Sequence, residues 1–212
     1  MIVIIDYQMG NIKSVQNALY YLGYNVKISD KPEIIRKAKG LILPGVGAFR
    51  DAAQVLRGKK LDIIIKEMVE KGKPFLGICL GMQLLFSYSE ENGKHQGLGL
   101  ISGRVVRFSN HYRVPHLGWN QVQYYSKTIK NNITLFSGIG DNSYFYFLHS
   151  YHCLPDKRDV VLAQTDYHKL FVSSVHKENI FGVQFHPEKS SSQGLKLLKN
   201  FGEICNANYS GN

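Results

Sequence analysis

Cys79 is the residue whose surroundings most clearly predict chemistry in this sequence. It follows a short apolar run, residues 75–78, and glycines stand on both sides of it at Gly77 and Gly81. A strand, a sharp turn and a helix in this order are typical of a nucleophile elbow, here with Cys in place of Ser. The glycines leave room for a strained backbone, and the start of a helix favours thiolate over thiol. Such a sulfur can attack a carbonyl if a base lies nearby.

A base and an acid occur together in residues 181–188, which we interpret as a strand halted by Pro187. Residues two apart in a strand point to the same side, so His186 and Glu188 are expected to stand together. The carboxylate would hold the imidazole in one tautomer while its other nitrogen faces Cys79. A thiol, an imidazole and a carboxylate in these roles form a triad for acyl transfer.

The elements that must position these groups follow an α/β pattern. Predicted strands at residues 2–5, 25–29 and 41–43 alternate with helical patterns, which predicts an open, mostly parallel, twisted sheet with helices on both faces. From residue 97 onward, short aromatic and β-branched runs predict an antiparallel β extension of that sheet. No linker or repeat interrupts the pattern, so residues 1–212 are expected to form a single domain.

The segment after Cys79 is predicted to be an amphipathic helix with several apolar residues facing the core. These residues are Met82, Leu84, Leu85 and Phe86. A closing helix is predicted over residues 194–205, and a hairpin turn over residues 176–179. The hairpin would bring His186 back to the elbow.

Several stretches of the chain resemble the class I (triad) glutamine amidotransferases, most closely the glutaminase subunits of imidazole glycerol phosphate synthase. The stretches are residues 6–11 (Asp-Tyr-Gln-Met-Gly-Asn), 44–49 (Pro-Gly-Val-Gly-Ala-Phe), 77–83 (Gly-Ile-Cys-Leu-Gly-Met-Gln), 115–120 (Pro-His-Leu-Gly-Trp-Asn), 144–151 (Tyr-Phe-Tyr-Phe-Leu-His-Ser-Tyr) and 185–190 (Phe-His-Pro-Glu-Lys-Ser). They cover essentially the whole chain in the family's order.

The resemblance implies a flavodoxin-like fold and an enzyme that hydrolyses L-glutamine to glutamate and ammonia through a γ-glutamyl thioester. The family needs neither a metal nor an organic cofactor for this step. By resemblance the ammonia is channelled to a TIM-barrel cyclase subunit in a heterodimer, which makes imidazole glycerol phosphate in histidine biosynthesis and is a lyase overall.

The loop at residues 44–47 follows the third predicted strand, where open sheets of this kind gather their ligands. From spacing alone, its two glycines fit an oxyanion site and a flexible connection equally well. The resemblance implies that the peptide between Val46 and Gly47 supplies one oxyanion donor and that the N–H of Leu80 supplies the other. We expect the loop to flip when a partner binds.

Glutamine-binding residues are also implied by the resemblance. Gln83 would hold the substrate amide, Glu91 would receive its α-ammonium group, and the backbone at Ser150 and Tyr151 would form the rim of the pocket. An exposed carboxylate at a helix end is the alternative for Glu91, since carboxylates are mostly solvated.

Partner contacts are implied for Trp119, Tyr146 and Lys189, which match interface positions of the family. Trp119 is the only tryptophan of the chain, and tryptophan side chains concentrate binding energy at interfaces. The alternative is an ordinary core tryptophan.

Composition and charge limit which partners and which location are expected for the protein. The net charge is +10 and the pI is about 9.4, but the lysines are dispersed and no nucleic-acid-binding motif is present, so no nucleic-acid partner is expected. No apolar run is long enough for a membrane span. No signal peptide is expected before the first strand, and three cysteines without a disulfide pattern suit a cytoplasmic protein.

Other functions stay open at this point. Gln8 and residues 152–153 depart from the commonest family pattern, so a paralogue could feed ammonia to another synthase, such as one that amidates a nucleotide-linked sugar for a surface glycan. A catalytically silent binding module and a cysteine hydrolase of another amide are further alternatives. Cys79, His186 and Glu188 argue against the first of these, and Gln83 and Glu91 argue against the second.

Overall fold

The computed structural model describes residues 1–109, 111–125 and 134–207. Its helices are α1 (Ile12–Tyr21), α2 (Pro32–Arg36), α3 (Phe49–Gly58), α4 (Leu61–Glu70), α5 (Leu80–Leu84) and α6 (Ser191–Ala207). Its strands are β1 (Ile2–Ile5), β2 (Val26–Ser29), β3 (Gly40–Gly45), β4 (Phe75–Cys79), β5 (Phe86–Ser89), β6 (His95–Gln96), β7 (Ile101–Arg107), β8 (His116–Tyr124), β9 (Ser143–His149), β10 (Tyr151–Pro155), β11 (Val161–Asp166), β12 (Leu170–Lys177) and β13 (Ile180–Val183). Among these helices none is long and apolar enough to cross a membrane.

One sheet joins the strands in the order β2-β1-β3-β4-β13-β12-β10-β7-β5-β6, with β11, β8 and β9 branching from β12. The segment from β2 to β13 is parallel, whereas β12 pairs with β13 and β10 in the antiparallel sense. The predicted fold class, a parallel sheet with an antiparallel extension, is therefore confirmed.

The parallel strands are buried on both faces. In β1, Val3 and Ile5 pack into the apolar cluster on one side of the sheet, whereas Ile2 and Ile4 pack into the cluster on the other side. Each fully buried aliphatic side chain contributes about 1.5–3 kcal/mol to stability. The continuous apolar runs in the sequence exist because both faces of these strands are covered.

The helix predicted after Cys79 is shorter than expected, and the prediction that Phe86 belongs to it is wrong. The helix α5 ends at Leu84, and Phe86 begins β5, which pairs in parallel with β7 opposite Ile101. The backbone N–H of Leu98 donates to the carbonyl of Leu84 at 2.8 Å. Backbone N–H groups further along the chain thus bond the carbonyls at the end of the helix. Pairing of β5 in the sheet then prevents the helix from continuing. The helix α3 was not predicted.

Strand register brings the candidate site together at the carboxyl ends of β3, β4 and β13. Gly45 lies opposite Cys79 in the β3–β4 pair, and Val183 lies opposite Ile78 in the β13–β4 pair. The hairpin between β12 and β13 turns at Glu178 and the residue after it, as predicted. His186 follows Val183 by three residues, so the chain delivers it beside the elbow.

Candidate active site

The turn at Cys79 has the strained geometry of a nucleophile elbow. Cys79 has φ 54° and ψ −111°, and its side chain is buried. A Cβ on Gly81 would overlap the carbonyl oxygen of Leu43, and one on Gly77 would lie 2.6 Å from the carbonyl oxygen of Gly81. Glycine is required at both positions because backbone approaches backbone there. The helix after the sulfur has only five residues, so its dipole is smaller than the sequence suggested.

His186 and Glu188 are in contact, as expected, but for a different reason. The Nδ1 atom of His186 lies 2.9 Å from Oε1 of Glu188, and the two side chains are only 3% and 1% exposed. The strand β13 ends at Val183, and Glu188 lies in a 3-10 turn, Pro187–Lys189. The prediction of strand alternation is therefore wrong. The turn folds the carboxylate back onto the ring, which leaves Nε2 for Cys79.

The backbone of His186 is held on both sides. Its N–H donates to the carbonyl of Tyr146 at 2.9 Å, and its carbonyl accepts a hydrogen bond from the Ser190 hydroxyl at 2.6 Å. Ser190 is fully buried and its Oγ also accepts from the N–H of Tyr146 at 3.0 Å. These bonds join the histidine to β9 and give the ring little freedom to move.

The imidazole of His186 is held in its protonated form. Burial lowers its pKa, but hydrogen bonds with Cys79 and Glu188, together with the charges of these two groups, outweigh burial and raise the pKa to about 10. Such a ring is an imidazolium at neutral pH. Such a ring holds a proton ready for a leaving group.

A cavity of about 320 Å³ opens above the sulfur. This volume lies at the small end of the range for small-molecule sites. The cavity is lined by Val46, Gly47, Cys79, Leu80, Gln83, Glu91, Pro115, Leu148, His149, Ser150, Tyr151, His186 and Lys189. All the residues expected to bind the substrate or to form the oxyanion hole thus share one cavity. Glu188 stands behind His186.

The loop after β3 is fixed at its base and open at its tip. The Tyr7 hydroxyl donates to the carbonyl of Pro44 at 2.8 Å, and burial raises the pKa of Tyr7, so the hydroxyl keeps its proton. A Cβ on Gly45 would overlap that hydroxyl. Val46 is exposed, and Gly47 has φ +97° in the left-handed region. Only the Val46–Gly47 end of the loop lies free at the cavity.

Gln83 is already engaged within the protein. Its Nε2 donates to the carbonyl of Tyr151 at 3.0 Å and to Oε1 of Gln184 at 3.1 Å. Both amide hydrogens are used, so Oε1 is the atom of Gln83 suited to receive a substrate N–H. Sequence reasoning missed Gln184. The available signal was a glutamine inside an otherwise apolar run, two residues before His186.

Glu91 lies in the turn after β5, not at a helix end. Its Oε2 accepts a hydrogen bond from the N–H of Phe49 at 2.7 Å, at the first residue of α3. The alternative of an exposed helix-end carboxylate is therefore wrong. The negative charge is held at the cavity wall by the start of α3.

Trp119 and Tyr146 lie outside the cavity on the exposed surface of β8 and β9. Trp119 is 52% exposed, so the alternative of a core tryptophan is wrong. Its ring meets Tyr146 edge-on at 6.2 Å, and Nζ of Lys189 lies 5.8 Å from the centre of the Tyr146 ring. We call this surface the β8–β9 face. Its exposed apolar members are Leu117, Trp119, Tyr144 and Leu148.

Buried histidines form an ordered chain beneath this face. Nδ1 of His149 lies 2.8 Å from the carbonyl of Tyr151, which can only accept, so Nδ1 carries the proton. Nε2 of His149 then accepts from Nδ1 of His116 at 3.0 Å, and Nε2 of His116 accepts from Asn120 at 3.2 Å. Burial lowers the pKa of His149 to about 3 and that of His116 to about 4. Both rings are therefore neutral. His149 is thus a buried residue with hydrogen-bond partners on both ring nitrogens.

Acid is expected to destabilise the protein through buried histidines whose pKa is lowered. The substitution His152→Phe tests this expectation. Burial lowers the pKa of His152 to about 4 from 6.5, so below pH 6.5 the unfolded chain binds a proton that the folded chain does not. The free energy of unfolding should fall as pH drops from about 6.5 to about 4. Phe retains the ring contact with Phe108, whose ring centre lies 4.6 Å away, and should flatten this fall in urea unfolding curves.

The exposed His111 supplies the control for this experiment. His111→Phe, measured in the same way, shows what the loss of an exposed histidine alone does to the slope of stability against pH. An equal slope for the wild type and His152→Phe would contradict the assignment of the acid sensitivity to His152.

Known proteins resemble the chain over nearly its full length. It is 52% identical to the imidazole glycerol phosphate synthase subunit HisH of Moorella thermoacetica, covering 96% of this chain and 94% of that protein. The subunit of the same name from Desulfitobacterium hafniense is 48% identical, with 97% and 95% covered.

Among solved structures, that of PurLQS from Thermotoga maritima is 19% identical, with a TM-score of 0.72 over 96% of this chain and 97% of that chain. A crystal structure of a glutamine amidotransferase gives a TM-score of 0.72 at 20% identity, covering 96% and 98%. These two show the shared fold. The model of the family "Glutamine amidotransferase class-I" matches residues 3–205. The chain therefore belongs to the class-I glutamine amidotransferase family.

Proposed function

We propose that the chain is the glutaminase subunit of an imidazole glycerol phosphate synthase, acting through Cys79, His186 and Glu188. The contact of His186 with both Cys79 and Glu188, beside a cavity of amino-acid size, carries this proposal. The names of the relatives at about 50% identity favour this synthase over one that amidates a nucleotide-linked sugar.

The reaction proceeds in two halves. The thiolate of Cys79 attacks the side-chain amide carbon of glutamine, and the carbonyl oxygen becomes an oxyanion held by the N–H of Leu80 and the Val46–Gly47 peptide. His186 gives its proton to the amide nitrogen, and ammonia departs as the C–N bond breaks. Water activated by His186 then opens the γ-glutamyl thioester to glutamate and returns the electron pair to sulfur.

Substrate orientation follows from the charges around the cavity. The carboxylate of Glu91, held by α3, receives the α-ammonium group of glutamine. Oε1 of Gln83 accepts from the substrate amide, and the backbone of Ser150 and Tyr151 closes the rim. A substrate with an amide at one end and an ammonium at the other matches these groups, which argues against a hydrolase of unrelated amides.

A TIM-barrel cyclase is the proposed partner, docked on the β8–β9 face. Ammonia is mostly ammonium in water at neutral pH, so a closed path to the acceptor preserves its nucleophilicity. The exposed tip of the loop at Val46 lies at the cavity mouth. Docking would turn the Val46–Gly47 peptide toward the oxyanion, which makes glutamine hydrolysis depend on the partner.

We further propose that residues 1–212 act as one domain in the cytoplasm. Cys79, Cys153 and Cys205 are free and buried, as suits a reducing compartment.

Labelling with 6-diazo-5-oxo-L-norleucine, a glutamine analogue that alkylates thiols, tests the proposed function. Mass spectrometry should locate the label on Cys79, and L-glutamine should block it. Labelling that glutamine does not block would indicate a hydrolase of another amide, and an unlabelled Cys79 in the partnered protein would indicate a silent binding module. Either result would contradict the proposal.

Trp119→Ala should weaken the complex with the cyclase at least tenfold, because anchoring tryptophans at interfaces contribute about 2 kcal/mol or more. Calorimetric titration of the two subunits measures this. Tyr21→Ala is the matched control, since Tyr21 is 80% exposed and lies on α1, outside the β8–β9 face. Equal dissociation constants for Trp119→Ala and the wild type would place the interface elsewhere.

A further inference from the structure

Gln184 contacts the sulfur of Cys79 but is not one of the residues that line the cavity. It is completely buried, between the end of β13 and His186, and it does not line the cavity. Its Nε2 lies 3.7 Å from Sγ of Cys79, a normal separation for an N–H donor and a sulfur acceptor. A buried polar side chain aimed at the reacting atom needs an explanation beyond packing.

The direction of this contact is determined by its neighbours. The carbonyl of Tyr151 can only accept, so the group of Gln83 that faces it at 3.0 Å must be the NH₂. The same NH₂ faces Gln184 at 3.1 Å, so the atom of Gln184 on that side must be its carbonyl oxygen. The NH₂ of Gln184 is then left pointing at Cys79. The chain of amides therefore presents a donor, not an acceptor, to the sulfur.

We propose that Gln184 donates a hydrogen bond to the thiolate of Cys79 and holds the sulfur in place from the buried side. This rests on the proposed function, in which Cys79 is the nucleophile. An amide does not titrate, so it offers the same donor at every pH. The amide of Gln184 is a neutral donor, whereas the imidazolium of His186 is a positively charged donor to the same sulfur.

The donor acts at two points of the reaction. Before attack, it stabilises the negative sulfur in a buried site where an unpaired charge is costly. In the second half-reaction, water adds to the thioester carbonyl, the C–S bond breaks, and the bonding pair returns to sulfur. Gln184 then receives the departing thiolate. Its donor should therefore affect turnover, whereas its carbonyl oxygen orients Gln83 at the cavity.

Gln184→Met and Gln184→Glu test this assignment. Methionine keeps the length of the side chain and removes both the donor to the sulfur and the acceptor for Gln83. Glutamate keeps an oxygen that can accept from Gln83 but replaces the amide donor near the sulfur. The rate of alkylation of Cys79 by iodoacetamide, followed across pH by mass spectrometry of its peptide, reports the thiolate fraction.

The midpoint of the alkylation profile should rise by about one unit in Gln184→Met, as expected for one lost bond to a charged group, and at least as far in Gln184→Glu. In the partnered enzyme, Gln184→Glu keeps an acceptor for Gln83, so kcat should fall about tenfold with an unchanged KM for glutamine. Gln54→Met, an exposed matched control on α3, should change neither.

Midpoints equal to the wild type in both folded variants would overturn the inference and leave Gln184 a structural residue. That result is distinct from failure of the proposed function. If glutamine failed to protect wild-type Cys79 from the glutamine analogue, the proposed function would fail whatever the alkylation midpoints of the Gln184 variants.

Discussion

Cys79→Ala is expected to reduce glutamine hydrolysis by at least about a thousandfold, as removal of a nucleophile does in enzymes of triad type. Synthesis from added ammonium salts in the presence of the cyclase should be retained, because ammonia supplied from solution bypasses the thioester. Alanine fits the space of the buried thiol, so the fold should survive. Paired assays with glutamine and with ammonium as nitrogen source measure both quantities.

Cys153→Ala is the matched control for this experiment. Cys153 is another buried thiol, and burial raises its pKa well above the usual value, so it stays a neutral thiol. Its replacement should leave both activities near the wild-type level. Loss of ammonium-dependent as well as glutamine-dependent synthesis in Cys79→Ala would show that Cys79 has a structural role.

Gly81→Ala is expected to destabilise the protein by at least about 3 kcal/mol, the upper range for overpacked sites, and to abolish glutaminase activity. The added methyl would overlap the carbonyl oxygen of Leu43 in β3. Neither the added methyl nor this backbone oxygen is the end of a flexible side chain. The strand β3 and the elbow would therefore have to separate. Urea unfolding at neutral pH measures the loss of stability.

Gly58→Ala makes the same chemical change in open surroundings. Gly58 is the last residue of α3, and no heavy atom lies within 4 Å of the position its Cβ would take. Stability should be unchanged or higher by up to about 1 kcal/mol, since alanine favours helix and restricts the unfolded chain. Similar unfolding curves for Gly81→Ala and Gly58→Ala would contradict the close approach of β3 to the elbow.

The contrast between these glycines illustrates what local sequence can predict. The spacing of Gly77, Cys79 and Gly81 predicted an elbow because the turn is built from neighbouring residues. Continuous apolar runs predicted β1 and β3 because strands covered on both faces leave no place for polar side chains. The pairing of His186 with Glu188 was predicted from their two-residue spacing, although they lie in a 3-10 turn and not in the strand that the prediction assumed.

Other features depend on residues far apart in the chain. The helix after Cys79 ends early because residues near position 98 return to bond its last carbonyls. Gln184 points its donor at Cys79 only because Gln83 and the carbonyl of Tyr151 set its orientation. Propensity and spacing describe each segment separately, so they cannot predict contacts with residues that are distant in the sequence.

The sequence by itself determined the fold class, the elbow and the chemical identity of the groups that surround it. Only the tertiary structure decided how those groups face one another: which atom of Gln83 remains for substrate, how α3 holds Glu91, and that Trp119 lies on the surface. The physical reason is that burial and hydrogen-bond direction are properties of the packed chain, in which a single carbonyl oxygen can orient side chains from several distant segments.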